Sequence, residues 1–280
     1  MFERRVRGVL AFAFVFAFAF SLRAATSEIK VDLKLDFADC VSGERIRGVV
    51  DIANSSPDEL KVGYADSKDS FFVEVFKAGS VSQLSKVSKH PFVSKFRLKS
   101  GEGQKLEVFL GEHYALRESN RYLAKPVLVH KGVRYEGTVR AFDVVDGVKI
   151  GGAMQMFANR KGLQREFELV FWSRGGSEHI FLKAQDMGTS TRNWETRDLG
   201  ATLRLDKPTV SVMPRGEVVV LHRLNQDQFV RTEFWSLPEA LEFRMREALG
   251  DPETAGTARV RELYKEGGIK PKENPWWKFW

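Results

Sequence analysis

The sequence predicts an all-β protein of two tandem antiparallel β-sandwich domains, followed by a short C-terminal helical pair and an extended aromatic tail. Three observations carry this prediction. Residues 29–37 alternate strictly between apolar and polar side chains, which is typical of a strand with one buried face. Turn-forming residues recur about every dozen positions through most of the chain. After Ser236 the apolar spacing changes to three or four residues, which favours helices.

Residues 1–27 are predicted to be a signal peptide rather than part of the fold. Three arginines precede an apolar run from Val9 to Leu22, and the small residues Ala24 and Ala25 follow it. The alternative is an uncleaved anchor helix, but this run is shorter than the roughly 20 residues that a spanning helix needs. After cleavage we expect no stable transmembrane segment. Localisation would be periplasmic, extracellular or associated with the cell envelope.

Residues 28–147 are assigned to the first sandwich. Its clearest pattern is in Gly43–Val62, where two apolar runs flank the turn-forming residues 54–58. We expect a strand, a tight turn and a second strand there. Further strands are predicted at residues 70–77, 92–98, 105–110, 121–130 and 133–145. About eight short strands in roughly 120 residues are typical of a β-sandwich.

This region resembles a bacterial immunoglobulin-like domain. The resemblance rests on Gly43-Glu44 before a strand, the segment Val50–Ser56, Leu60, a late strand that contains Tyr122, and the closing strand Phe142–Val145. It covers somewhat under half of the chain. The Cys–Trp–Cys signature of antibody-type domains is absent. The resemblance implies a scaffold or recognition module and supplies no catalytic residues.

Residues 150–235 are predicted to form a second β-domain that repeats the theme of the first. Residues 165–172 and 179–183 are expected to be strands joined by a turn at 173–177, the same arrangement as Gly43–Val62. Short strands are also expected at 201–205, 209–213 and 215–221. The strand number is lower than in the first domain, so one larger sheet structure is the alternative.

Residues 236–268 are predicted to form two short amphipathic helices. Ser236-Leu237-Pro238-Glu239 matches a capping box, and apolar residues then recur at helical spacing up to Gly250. A second helix is expected from Asp251 to the glycines at 267 and 268. Two prolines make residues 269–280 an extended tail, which ends in an unusual concentration of aromatic side chains.

Composition argues against several classes of function. Cleavage of the leader removes four arginines and one glutamate, which lowers the net charge from +7 to +4. Basic and acidic residues are interleaved, so we expect no nucleic-acid partner; a polyanion-binding role for the lysines between 86 and 105 is a minor alternative. Cys40 is the one cysteine, so an intramolecular disulfide is excluded, and we interpret it as a small buried apolar residue.

No catalytic motif is recognisable, and we predict no metal, no cofactor and no enzymatic activity. The five histidines lack metal-pair spacing, and neither a nucleophile elbow nor a phosphate-binding loop is present. A hydrolase or an accessory resembling a protease inhibitor is the alternative, using a loop constellation of His179, Asp186 and His222.

The candidate binding residues are aromatic. Trp172 is predicted to lie on the strand face opposite Phe167 and Phe171, and Trp194 in a polar loop at residues 188–197, so both are expected to be exposed. The remaining candidates form the chain end: Trp276, Trp277, Phe279 and Trp280. A terminal aromatic is also typical of outer-membrane assembly signals, which makes docking of the tail a further hypothesis. We therefore expect a non-enzymatic binding or structural module whose partner is a protein or an envelope polysaccharide.

Overall fold

The computed structural model describes residues 28–157, 162–188 and 194–250, and the regular secondary structure of these residues is almost entirely β-strand. The predicted all-β class is therefore confirmed. The leader 1–27, the second predicted helix and the aromatic tail lie outside the described residues. No helix in the described ranges is long and apolar enough to cross a membrane.

The N-terminal half, residues 28–146, contains ten strands and one short helix in the described chain. Their bounds are β1 Ile29–Leu35, β2 Asp39–Val41, β3 Arg47–Asn54, β4 Leu60–Val62, β5 Ser70–Lys77, β6 Phe96–Leu98, β7 Gly103–Phe109, α1 Leu110–His113, β8 Asn120–His130, β9 Val133–Glu136 and β10 Arg140–Val145. The sheets have the orders β1-β3-β7, β2-β10-β8-β5 and β4-β6, and β9 pairs with β8. All pairs are antiparallel except β2 with β10.

Strand β1 shows why these residues form sheets around one core. Ile29, Val31 and Leu33 are buried, while Lys30 on the other face is exposed, as the alternation predicts. Buried apolar residues from all three sheets belong to one hydrophobic cluster, which includes Val73 and Phe142. Burial of this shared face is what holds the sheets together.

The Gly43–Val62 segment is not a hairpin, contrary to expectation. Strand β3 pairs with β1 and β7, whereas β4 pairs with β6 in a separate sheet. The turn is built around the buried Asn54 side chain, whose Nδ2 donates to the carbonyl oxygens of Asp58 at 2.8 Å and Leu98 at 3.0 Å. These bonds direct the chain to β6 instead of back along β3.

The C-terminal half, residues 147–250, contains two four-stranded antiparallel sheets. The first has the order β11-β12-β13-β14, with β11 Val148–Met156, β12 Gln164–Arg174, β13 Ser177–Met187 and β14 Trp194–Ala201. The second has the order β15-β16-β17-β18, with β15 Thr209–Val212, β16 Glu217–Arg223, β17 Gln228–Ser236 and β18 Leu241–Gly250. Side chains from both, such as Leu169 and Val220, share one buried cluster, so the two sheets pack face to face.

Two predictions in this half are wrong. Residues 202–205 are not a strand, because β14 ends at Ala201, and residues 194–197 of the predicted polar loop are the start of strand β14. The expected hairpin of residues 165–183 is confirmed, because β12 and β13 pair along their whole length.

The first predicted C-terminal helix is also wrong, because Leu241–Gly250 is strand β18. A β-bulge opposite Glu233 and Phe234 shifts the register within this strand. Leu241 consequently joins the core between the sheets, whereas Leu249 lies on the opposite face. A bulge that reverses the alternation produces apolar spacing that imitates a helix. The presumed capping box is the hairpin turn before β18, closed by Leu237 and Ala240.

Candidate binding surface

The outer face of the β11–β14 sheet, which points away from the β15–β18 sheet, carries both the junction with the N-terminal half and the most exposed methionines. Cross-strand register places its residues in rows. One row contains Glu168, Lys183 and Thr196, and the next contains Met154, Glu166, Gln185 and Trp194. A third row contains Met156, Gln164 and Met187. Among the described residues, the N-terminal half contacts this face around Trp172, Lys183 and Thr196.

The centre of the junction is the buried guanidinium of Arg174 at the end of β12. Its Nη1 and Nη2 donate to the two carboxylate oxygens of Glu44 at 2.9 and 2.6 Å, and Nη1 also donates to Asp198 at 3.2 Å. Phe37 and Phe181 lie beside the guanidinium, with ring centroids 4.3 and 5.0 Å from Cζ. Burial alone would lower the pKa of Arg174, but the Glu44 carboxylate raises it, so the group stays charged.

The loop that carries Glu44 is held by a second set of polar contacts. Thr196 Oγ1 donates to the carbonyl of Ser42 at 2.7 Å, and the Thr196 amide donates to the carbonyl of Gly43 at 3.1 Å. The buried Lys183 ammonium donates to Ser42 Oγ at 3.1 Å and to the Asp146 carbonyl at 2.8 Å. Burial lowers the pKa of Lys183, and nearby Asp146 and Glu168 oppose that shift. Three strands of the second half thus fix one short loop of the first.

Trp172 belongs to this junction and is half-buried, so the prediction that it is exposed is wrong. Its indole Nε1 donates to Asp39 Oδ2, and its ring packs against a small cluster formed by Val41, Val170 and Phe181. Its position on the opposite strand face from Phe167 is as predicted, but the N-terminal half occupies that face. A role for Trp172 in ligand binding stays a prediction.

Beyond the junction, the most exposed apolar side chains that the described ranges place on this face are methionines. Met154 is 57% exposed, Met156 75% and Met187 37%. We call these three residues the methionine surface. The Lys149 ammonium, which contacts the carboxylates of Glu166 and Glu168, marks the border between this surface and the junction. An apolar patch with a charged rim is typical of an interaction site.

Sequence reasoning missed the methionine surface because it did not predict strand β11. Adjacent glycines such as Gly151 and Gly152 are typical of turns, but here they form part of that strand and accompany a register shift. A signal was available, since Met154 and Met156 are two residues apart and must share one face of any strand. This spacing does not show whether the shared face is buried or exposed to solvent, because that depends on which other parts of the chain pack against it.

The other predicted binding residues fall into two groups. Trp194 is the first residue of β14 and pairs with Gln185, so it stands at the end of the row that contains Met154 and Glu166. Trp276, Trp277, Phe279 and Trp280 lie outside the described residues. Their roles in binding stay predictions.

The structure does not assemble His179, Asp186 and His222 into a catalytic group. Asp186 is held by the buried guanidinium of Arg165, with Nε to Oδ1 at 2.6 Å. It lies seven residues from His179 along β13, which corresponds to about 23 Å. His179 instead contacts Asp198, with Nδ1 3.1 Å from both carboxylate oxygens.

His222 is only 1% exposed, so it is closed off from solvent. Burial, together with the nearby charge of Arg246, lowers the pKa of His222 to about 4. Within the described ranges no three His, Cys, Asp or Glu side chains are grouped to hold a metal ion. Cys40 is buried as predicted, and burial, reinforced by Glu44, raises the pKa of its thiol to about 12.

Comparison with known proteins assigns no family to the chain. No protein-family model matches the sequence, and no curated protein matches it. Among solved structures the chain is similar to the crystal structure of Spo0M, a sporulation control protein from Bacillus subtilis. That similarity covers 85% of this chain and 97% of the other, at 10% sequence identity and a TM-score of 0.29. A TM-score this low carries no argument about fold or function.

Proposed function

We propose that this protein is an exported, non-enzymatic binding module of the cell envelope, built as two tandem immunoglobulin-like sandwiches, and that its partner is a protein. The basic and apolar character of residues 1–27 supports export to the periplasm or beyond. The strand-rich halves, each with its own hydrophobic cluster, support a tandem arrangement. The observation that carries the binding role is the methionine surface.

A methionine surface suits a protein partner better than a polysaccharide. The thioether side chain is unbranched, flexible and polarisable, so it adapts to apolar and aromatic groups of different shapes. Carbohydrate sites depend more on flat aromatic rings and on dense hydrogen-bonding groups. Trp194 begins strand β14 at the register position that pairs with Gln185, in the same row as Met154.

The scaffold presents this surface on a braced sheet. Met154 and Met156 lie on β11, an edge strand whose neighbour β12 is clamped to the N-terminal half through Arg174 and Glu44. Side chains that project from strands are positioned more rigidly than those on loops. Because braced side chains lose less conformational entropy when they bind, the bracing lowers the free-energy cost of binding.

The test is photo-cross-linking in the native host. Benzoylphenylalanine replaces Met156 in the full-length exported chain, and the same substitution at Val81, which is 96% exposed on the N-terminal half, is the matched control. We expect position 156 to give a discrete adduct with a protein, position 81 to give none, and Met154→Glu to abolish the adduct at 156. Adducts of equal yield at both positions, or none at 156, would contradict the proposal. Transfer of the label to polysaccharide would replace the protein partner with a glycan.

A further inference from the structure

The chain between strands β5 and β7 of the N-terminal half carries basic side chains and no acidic ones. Residues 78–101 contain four lysines and one arginine, and neither aspartate nor glutamate. All five cations are exposed: Lys86, Lys89, Lys95, Arg97 and Lys99. Charges of one sign that are concentrated on one stretch of surface attract a partner of the opposite sign.

The loop that precedes β6 is anchored to the body of the N-terminal half, so its side chains project from a defined position. The Val87 amide donates to the carbonyl of His113 at 2.8 Å. The buried Phe92 ring lies beside the His113 ring, with 3.9 Å between the two centroids. The Lys86 ammonium lies 4.5 Å from the Phe92 ring centroid, next to this anchor.

Strand β6 adds two further cations on one face. Phe96 and Leu98 are buried in the core of this half. Lys95 and Arg97 alternate with them along the chain, so both point outward and lie about 7 Å apart. The Tyr64 ring is between them, 5.7 Å from the Lys95 ammonium and 4.3 Å from the Arg97 guanidinium. These cation–π contacts hold both groups on the outer face.

Four of these cations, Lys86, Lys89, Lys95 and Arg97, form what we call the basic surface. Elsewhere on this half, basic side chains pair with carboxylates, as Lys77 does with Glu118 at 2.5 Å. Lys99 has the Glu102 carboxylate beside it, because its amide donates to Oε2 at 2.7 Å. In the part of the chain that the structure describes, no carboxylate lies at ion-pair distance from the cations of the basic surface. Their charge is therefore available to an anionic partner.

An apolar side chain among these cations favours a membrane over a soluble polyanion. Val87 is 65% exposed and lies between Lys86 and Lys89 in the sequence. Valine gains nothing from a charged polymer, but it is stabilised in the interfacial layer of a bilayer, where lysine stems lie beside it and the ammonium groups reach the phosphates.

We propose that the basic surface docks the protein on a bilayer that contains anionic phospholipid, with the four cations at the phosphate groups and Val87 in the interfacial layer. Four charges and one aliphatic side chain give reversible attachment and no insertion across the bilayer. This inference does not depend on the methionine surface, which belongs to the C-terminal half and is proposed to bind a protein.

The test is flotation of the full-length purified protein with vesicles of phosphatidylcholine alone, or of phosphatidylcholine and phosphatidylglycerol in equal parts. We expect stronger binding to the anionic vesicles, and a loss of this difference as salt is raised. Each cation near an anionic surface contributes about fivefold in affinity, so Lys86→Gln combined with Lys89→Gln should weaken that binding about 25-fold. Lys30→Gln combined with Lys34→Gln is the matched control, because it removes the same charge from exposed positions on β1.

A second pair of variants tests the apolar contact. Val87→Asn should weaken binding to the anionic vesicles several-fold. Val81→Asn should leave it unchanged, because Val81 is 96% exposed on the same loop but lies between two serines and away from the cations. Substitutions at such exposed positions leave the fold intact, and circular dichroism of each variant checks this.

Three outcomes would overturn the proposal. Equal binding to neutral and anionic vesicles would show that the basic surface does not recognise the headgroup charge. Equal losses for the two lysine pairs would show a response to net charge alone. Unchanged binding of Val87→Asn, together with full displacement of the protein from vesicles by long-chain polyphosphate, would replace the membrane with a soluble polyanion.

Discussion

Arg174 and Glu44 form a two-point ion pair across the junction, although 130 positions separate them in the sequence. The Arg174 side chain is 1% exposed and that of Glu44 is 14% exposed, so both charges depend on each other for solvation. Glu44 Oε2 also accepts from the Val41 amide at 3.0 Å. One carboxylate therefore organises its own loop and neutralises the charge of the opposing sheet.

Replacing Glu44 with glutamine should lower the free energy of unfolding by about 3 kcal/mol, because it leaves a buried guanidinium with less compensating charge. The neighbouring carboxylate of Asp198 limits the loss. Urea denaturation of the full-length protein measures it. Glu112→Gln is the control, since Glu112 pairs with Arg45 at 2.5 Å but 46% of its side chain is exposed. Breaking that surface pair should cost less than about 1 kcal/mol. Equal losses for the two variants would contradict this account.

The Arg165 guanidinium organises the turn between β17 and β18. Its Nη1 donates to Ser236 Oγ at 2.9 Å and to the carbonyl of Leu237 at 2.8 Å, and Nη2 donates to the carbonyl of Pro238 at 3.2 Å. The same group holds Asp186 through Nε. Arg165→Lys keeps the charge but lacks the planar fork that reaches both partners. We expect faster hydrogen exchange at the Leu237 and Ala240 amides and a loss of about 3 kcal/mol in stability.

The control for this variant is Arg140→Lys. Arg140 Nη2 donates to both carboxylate oxygens of Asp32 at 2.8 Å, but the Arg140 side chain is 41% exposed. Its replacement should change stability by less than about 1 kcal/mol and leave exchange in the 237–240 turn unaffected. The turn function would be refuted if Arg165→Lys left exchange of those amides at the level of the unmodified protein.

The sequence predicts a strand correctly where the alternation of apolar and polar residues within that strand is enough to define it. Strand β5 was predicted with its observed bounds, and the β12–β13 hairpin was predicted with its turn, because period-two patterns and turn residues act over short distances. Strand β18 was missed because its bulge changes which face each residue occupies. The site was missed for a related reason. Whether Trp172 or Met156 is exposed depends on which part of a sheet the other half covers, and only tertiary contacts determine that.

His222 makes stability depend on pH in a defined direction. Burial and Arg246 disfavour its charged form and lower its pKa to about 4 in the folded protein, against about 6.5 in an unfolded chain. Between these values the unfolded state binds a proton that the folded state does not, so the free energy of unfolding falls as the pH falls. The contribution lost between pH 7 and pH 4 is about 3 kcal/mol.

Comparison of His222→Leu with the unmodified protein isolates this effect from the titration of carboxylates. Leucine fits the apolar neighbours Val230 and Ala248 on the adjoining strands. The variant should lose less stability than the parent when urea unfolding is measured at pH 7 and again at pH 4. His90 is exposed, so the His90→Gln variant should show the same change in the free energy of unfolding with pH as the parent. Parallel pH profiles for His222→Leu and the parent would rule out this linkage.

The methionine surface should be the first part of the folded protein to react with a mild oxidant. Met156 and Met154 are 75% and 57% exposed, whereas Met213 and Met245 are half-buried and serve as internal controls. Sulfoxide formation follows solvent access and turns an apolar side chain into a polar one. Dilute hydrogen peroxide followed by peptide mass spectrometry should therefore detect oxidation at 156 and 154 before 213 and 245. Because surface changes away from the core alter stability little, the unfolding midpoint should be unchanged.

The cross-link from position 156 should be lost once Met154 is oxidised. Earlier oxidation at Met245 would contradict the order of exposure. An adduct that survives complete oxidation of Met154 would show that this surface is not the one that binds.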